Sequence, residues 1–244
     1  MHELFGTKHL ILILVSFVLI AVLYILSRKI EFEKLCKYLL YVGIVSEIIK
    51  IFYYIIQNEE KYGGTLPRTD LPFHLCSIQI LFITAVCLLK NENVKRFILS
   101  FMMPSCLFGG IAAILIATQS ARNGMWIISV QYFGYHIAIT VFALHLLLSK
   151  EFKLNIKDYF NCLKFLLVIM FFAFYINSML YDGTDGINFM YVVSPPQPGL
   201  PFLNENHGWF VYIMHYASLI LLCVTLAYIK PIISAIKEKF SKKR

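Results

Sequence analysis

The chain has 244 residues, of which 59% are hydrophobic and only 15% are charged. Soluble domains average about a quarter charged residues, so this composition excludes an ordinary soluble domain and predicts an integral membrane protein. The six cysteines lie in or beside apolar stretches, which excludes the disulfide framework of a small secreted protein.

Seven apolar stretches are each about long enough to cross a hydrocarbon core of ~30 Å as a helix. They cover residues 9–27, 37–57, 72–89, 97–118, 126–148, 162–181 and 209–229. We therefore predict an all-α, polytopic bundle of about seven transmembrane helices over residues 1–229, followed by a basic tail over residues 230–244.

The basic residues are distributed unequally between the two sides of this predicted bundle. Of the 22 lysines and arginines, 17 follow the odd-numbered spans and only four lie on the other side. This asymmetry predicts an outer N-terminus, a cytoplasmic C-terminus and residence in the plasma membrane. It also accounts for the net charge of +8, so no nucleic-acid partner is expected. The tail is expected to lie on the inner membrane surface as a basic, partly amphipathic helix.

Several predicted spans carry polar side chains that hydrocarbon disfavours, and such residues usually face the bundle interior and mark a functional site. They are Glu47 and Lys50 in the second span, His74, Cys76 and Gln79 in the third, Gln131 and His136 in the fifth, Asn177 in the sixth and His215 in the seventh. At a rise of about 1.5 Å per residue, all of them fall in the outer half of the bundle. The sequence predicts one polar cavity that opens outward, or into the outer leaflet, and is closed inward.

The motif LPFHLCS at residues 71–77 contains the candidate nucleophile. A thiolate is a strong nucleophile near neutral pH when a base or a positive neighbour activates it. Cys76 is therefore the predicted nucleophile, with His136, His215 or His74 as its base. The alternative is that Cys76 is a small core residue and that each histidine only bonds neighbouring helices.

The remaining polar residues are predicted to bind substrate. Gln79, Gln131, Lys50 or Asn177 could stabilise an oxyanion, and Glu47 could pair with Lys50, three residues away on the same helix face. That pair could equally be a purely structural salt bridge. No CxxC or HExxH spacing occurs, so we predict neither a metal nor another cofactor.

The segment of residues 182–208 is the longest predicted outer loop, and it mixes turn residues with Phe, Met, Tyr and Leu side chains. A loop of this length is usually functional. We weigh two interpretations equally, a lid or re-entrant segment and a folded plug that only covers the bundle.

Four segments together carry a family resemblance. They are FGTKHL near the start, SEIIK in the second span, LPFHLCSIQI at the third, and GINFMYVVSPP before the last. With these segments the chain resembles the YwaF-like bacterial integral membrane proteins over nearly its whole length. That family is similar, more distantly, to animal multi-pass proteins that act as cysteine-dependent acyltransferases on ether phospholipids. The resemblance implies lipid acyl chemistry with Cys76 as nucleophile and His74 or His136 as its partner.

The leading hypothesis is a membrane-embedded acyltransferase or acyl hydrolase that acts on a phospholipid or lysophospholipid. The alternative is a non-enzymatic protein that binds or transports a lipid or small solute through Glu47 and Lys50. A third interpretation is a structural or regulatory membrane protein. The sequence predicts membrane lipids as partners and does not specify an oligomeric state.

Overall fold

A computed structural model describes residues 4–57, 66–148, 152–181, 186–197, 200, 203 and 208–241. Within these residues the chain forms nine α-helices and two 3₁₀ helices, at Arg68–Asp70 and Phe189–Tyr191, and no strand. The α-helices are α1 Thr7–Ser27, α2 Phe32–Gln57, α3 Leu75–Leu88, α4 Glu92–Leu115, α5 Gln119–Asn123, α6 Trp126–Leu148, α7 Ile156–Leu180, α8 Trp209–Ala227 and α9 Ile229–Ser241.

The described part of the chain contains six helices that are long and apolar enough to cross a membrane, namely α1, α2, α4, α6, α7 and α8. Together with the shorter apolar α3 they coincide with the seven predicted spans, so the all-α, polytopic bundle is confirmed. Four helices, α1, α2, α4 and α7, start earlier than the apolar stretches suggested. Asn91 and Asn155 cap α4 and α7 through their side chains, which adds a polar first turn to each helix.

Helix α3 is too short to cross the membrane alone. Its 14 residues span about 21 Å, against a hydrocarbon core of ~30 Å. Only residues 89–91 separate it from α4, so the two helices meet at the tail side of the bundle. The other end of α3 therefore lies about 9 Å below the opposite face of the hydrocarbon core. The predicted third span thus begins three residues early, because Leu71–His74 form a turn in which the Phe73 N–H bonds to Leu71 O at 2.7 Å.

The central pair of helices is α4 and α6, and the other spans pack around it. Their close approach depends on Gly110, where a Cβ atom would lie 2.3 Å from Thr140 Oγ1 and 3.1 Å from the His136 carbonyl oxygen. Pro104 lies within α4 and cannot donate to the carbonyl of Ser100. The hydroxyl of the fully buried Tyr228 donates to that carbonyl at 2.7 Å. A residue at the end of α8 therefore replaces the backbone hydrogen bond that α4 lacks at Pro104.

A buried ion pair joins the tail-side ends of α4 and α7. Arg96 donates to both carboxylate oxygens of Asp158, at 2.8 and 2.7 Å, and also to Lys153 O at 2.7 Å. Asp158 accepts a further bond from the backbone N–H of Asn155, which completes the capping box of α7. This bidentate geometry fixes the two helices relative to each other.

We expect Asp158→Ala to lower the free energy of unfolding by about 2–3 kcal/mol, because it leaves Arg96 without its charge partner. The loss should fall below that of a fully buried pair, since the Arg96 side chain is 37% exposed. Unfolding in mixed detergent micelles measures it. The matched control is Glu92→Gln, which breaks the exposed pair with Lys95 and should leave stability unchanged. Equal effects of the two variants would contradict this assignment.

Candidate functional site

The start of α3 holds the candidate nucleophile. His74 is the N-cap residue, and no side-chain hydrogen bond caps the helix. The Cys76 thiol lies in the first turn of this helix. The positive end of the helix dipole favours a negative charge at this sulfur, whereas its apolar surroundings oppose one. A base is therefore needed to remove the thiol proton.

Three further helices meet α3 at Cys76. The Tyr135 hydroxyl of α6 donates to the Cys76 carbonyl at 2.7 Å. Cys106 of α4 and Lys50 of α2 are both close enough for electrostatic interaction with the thiol. The second, third, fourth and fifth spans adjoin Cys76, whereas His215 of the seventh span, which was also expected here, is exposed.

His136 of α6 is buried, and it directly follows Tyr135 in the chain. Its Nδ1 lies 2.7 Å from the carbonyl oxygen of Tyr132, and no residue in the described part of the chain bonds to its Nε2. Because a carbonyl oxygen only accepts, the proton of the neutral ring must be on Nδ1, which leaves a free lone pair on Nε2. A buried acceptor without a partner is unfavourable by about 1–3 kcal/mol. His136 thus has the tautomer that a general base requires.

The other two candidate histidines lie elsewhere. The His74 ring packs against Phe189 and Tyr191, with ring centroids 5.2 and 5.6 Å away. His215 is exposed on α8, and the structure does not bring it into the cluster around Cys76. The inward face of α8 carries Tyr212 and Tyr216, whose hydroxyls donate to the carbonyl oxygens of Tyr191 and Met190.

The predicted pairing of Glu47 and Lys50 is confirmed. The Lys50 ammonium lies 2.8 Å from one carboxylate oxygen of Glu47 and 3.0 Å from the other. The second oxygen also accepts from the Ser77 hydroxyl at 3.1 Å. Since Ser77 follows Cys76 directly, this bond ties the ion pair of α2 to the first turn of α3.

The three predicted amide ligands have different roles. Gln79 is buried and donates to Ser105 at 3.0 Å, while its Oε1 has no partner. Gln131 donates to Ser46 at 2.7 Å and so joins α6 to α2. Asn177 lies away from Cys76, where its amide accepts from the Phe189 N–H at 2.8 Å and donates to the Phe189 carbonyl at 3.0 Å.

Residues 186–197, here called the strap, are the continuously described part of the predicted outer loop. Besides the Asn177 clamp, the strap carbonyls of Met190, Tyr191 and Val192 accept from Tyr216, Tyr212 and Trp209. Met190 and Tyr191 adopt left-handed φ values of 56° and 53°. The fully buried Phe189 packs on Phe73 and His74. The strap therefore covers the start of α3, as both interpretations of this loop require.

A cavity of about 340 Å³ lies between the strap, α7 and α8. Its lining is mainly apolar and includes Phe174, Ile187, Val192 and Trp209 together with the amide of Asn177. We call it the lateral cavity, because Trp209 is exposed at the protein surface. Among the residues that the structure describes, no three His, Cys, Asp or Glu side chains are grouped to hold a metal ion.

Comparison with known proteins adds one decisive observation. The model of the TMEM164 family matches residues 4–228. The chain belongs to the TMEM164 family. No curated protein and no solved structure matches it. The family match covers all seven apolar spans, so this TMEM164-family chain is a multi-pass membrane protein by both sequence and fold.

Sequence reasoning missed several polar contacts of this TMEM164-family site. Tyr135, Ser77 and Ser105 contact the predicted residues directly. Asp70 accepts a hydrogen bond from Tyr54, and burial raises the pKa of its carboxyl above the ordinary value, against the opposing charge of Lys50. Hydroxyl side chains give no signal in an apolar span, and Asp70 was hidden within a predicted loop.

We expect the single substitutions Glu47→Gln and Lys50→Met each to lower the free energy of unfolding by about 3 kcal/mol, because each leaves one buried charge unpaired. The double variant, which removes both charges, should recover most of that loss. The free energies of unfolding of the three variants and the wild type are compared in mixed detergent micelles. Equal stability of all three variants would show that the pair does not act as a unit.

Replacement of Asn177 by Ala should release the strap. The buried N–H and C=O of Phe189 then lose their side-chain partner, which is unfavourable by about 1–3 kcal/mol. Hydrogen exchange of the backbone amides of residues 186–197 should become faster. Ser178→Ala, at the exposed neighbouring position, is the matched control and should change nothing. Unaltered exchange in Asn177→Ala would contradict the clamp.

Proposed function

We propose that this chain is a membrane-embedded lipid acyltransferase or acyl hydrolase with Cys76 as its nucleophile and His136 as its general base. The observation that carries the proposal is the free lone pair on the buried Nε2 of His136. Its neighbour Tyr135 bonds to the backbone of Cys76. The protein retains an unfavourable buried acceptor at this point, which is typical of a functional site.

The choice of His136 rests on the surroundings of the three histidines. The His74 ring packs against Phe189 and Tyr191 of the strap, and His215 is exposed on the outside of α8. Of the three, His136 is the histidine that is buried with a ring nitrogen that no described residue bonds. We therefore assign the proton transfer to His136 and a supporting role to His74, which holds the turn before α3.

The proposed reaction proceeds in two steps. First, His136 Nε2 takes the thiol proton as the Cys76 sulfur attacks the ester carbonyl carbon of a lipid. The carbon–oxygen bond breaks, and the proton passes to the departing lysolipid oxygen. Second, the hydroxyl of an acceptor lipid, or water, attacks the thioester while His136 accepts its proton. The sulfur leaves and regains a proton from His136.

The negative charge that develops on the carbonyl oxygen requires hydrogen-bond donors. The uncapped N-terminus of α3 supplies backbone N–H groups beside Cys76. The Lys50 charge lies on the same side. The side-chain amides of Gln131 and Asn177 already bond within the protein, so we propose that they position helices and the strap.

The lateral cavity supports a lipid substrate. Its apolar lining suits an acyl chain, and Asn177 in its wall contacts Phe189, which in turn packs on His74. The proposal includes membership of the YwaF-like bacterial branch and residence in the plasma membrane.

Trapping of the acyl-enzyme tests the proposal. Purified protein incubated with phospholipid carrying a labelled acyl chain should acquire label that hydroxylamine releases, as expected of a thioester. Cys76→Ser should abolish labelling, because an alcohol is a far weaker nucleophile without strong activation. His136→Gln should slow labelling on the order of 10²–10⁴-fold through the loss of general base catalysis.

Cys87→Ser is the matched control, since Cys87 lies on the same helix in an apolar position. That variant should label like the wild type. Equal labelling of the Cys76→Ser protein would overturn the thioester mechanism. In that case the ion pair of Glu47 and Lys50, bonded to Ser77 at the covered start of α3, favours the second candidate function, a non-enzymatic protein that binds or transports a lipid or small solute.

A further inference from the structure

Helix α9 has an apolar face that the described part of the protein leaves uncovered. Ile229, Ile233, Ile236 and Phe240 are between 43% and 68% exposed. With about 100° of rotation per residue, these four positions fall within an arc of about 60°. They form one continuous stripe along the whole of Ile229–Ser241.

Lysines flank this stripe on both sides. At about 100° of rotation per residue, measured from Ile229, Lys230 and Lys237 lie about 100° and 80° to one side of the helix. Lys239 lies about 80° to the other side. The acidic residue of the helix, Glu238, is on the opposite face. In the sequence, Lys242, Lys243 and Arg244 follow directly. The charge pattern is therefore symmetric about the apolar stripe.

The helix is held at the edge of the bundle and does not insert into it. Ile232, beside the exposed stripe, packs against the hydrophobic core. Tyr228, immediately before α9, is anchored by its bond to Ser100 O. With 13 residues the helix is about 20 Å long, which is too short to cross a membrane, and its lysines exclude it from hydrocarbon.

We propose that α9 is an interfacial helix that binds the anionic phospholipids of the membrane surface on the tail side. The isoleucines and Phe240 enter the boundary between headgroups and acyl chains, while the flanking lysines reach outward to lipid phosphates. A membrane surface is apolar in its acyl-chain region and anionic at its lipid phosphates. It therefore matches a helix whose apolar stripe has basic residues on both sides. A binding groove on another protein would instead enclose the helix and contact its two flanking faces as well.

The consequence is that lipid composition at this surface controls the order of α9. Each lysine near an anionic surface contributes on the order of fivefold to binding, so the three lysines of α9 together should produce a large difference between anionic and neutral membranes. The helix leads directly into Tyr228 and the bundle, so its docking also sets the position of the end of α8.

Hydrogen exchange of the full-length protein in nanodiscs tests this proposal. Amides of residues 232–241 should exchange at least about tenfold more slowly in phosphatidylcholine discs with about 30% phosphatidylglycerol than in pure phosphatidylcholine discs. The triple variant Lys230→Gln, Lys237→Gln, Lys239→Gln should lose this difference. Glu238→Gln, on the opposite face, is the matched control and should retain it.

A measurement on the wild type tests the proposal even if the triple variant misfolds. Raising the salt concentration should shrink the difference between the two discs, because salt screens surface charges. Equal exchange in anionic and neutral discs would overturn the proposal, as would a difference that salt does not alter. Slowing of exchange by polyglutamate in neutral discs, without slowing by phosphatidylglycerol, would assign the face to an acidic protein partner and also overturn it.

Discussion

The architecture depends on one constraint, that every backbone polar group inside hydrocarbon must find a partner within the protein. Most of the chain meets it with long helices. The exceptions are all resolved by side chains. Tyr228 occupies the carbonyl that Pro104 leaves open in α4, and the Asn177 amide bonds to both the N–H and the carbonyl of Phe189 in the strap. Irregular backbone is tolerated at membrane depth because such clamps replace the missing helical bonds.

The same constraint explains where the candidate site lies. Helix α3 is too short to cross the hydrocarbon core alone, and Cys76 lies half-buried in its first turn. The strap and the turn of residues 71–74 cover that helix start. The pair of Glu47 and Lys50 lies at this helix start, where Glu47 accepts from the Ser77 hydroxyl. In such a water-poor place, oriented donors and charges act more strongly than they would in water.

Much of the fold could be predicted from the sequence because apolar runs of about 20 residues have one solution in a bilayer. The pairing of Glu47 and Lys50 was also accessible, since it depends on local helix geometry alone. The partner of Asp158, in contrast, lies 62 residues away, and that of Cys76 lies 59 residues away. No local pattern specifies such contacts. The predicted inward position of His215 was wrong. Tyr212 and Tyr216, which were expected on the same face of the helix, do bond to the strap, but His215 is exposed.

The ion pair of Arg96 and Asp158 has a consequence for biosynthesis. A chain is made from its N-terminus, so α4 leaves the ribosome well before α7 does. Until α7 arrives, Arg96 has no carboxylate partner in Asp158 and must remain hydrated at the membrane surface. The bidentate bond can close only after the intervening helices have inserted. It therefore acts late, as a lock on an assembled bundle, and an insertion intermediate that stalls before α7 would expose this arginine to the quality-control machinery of the cell.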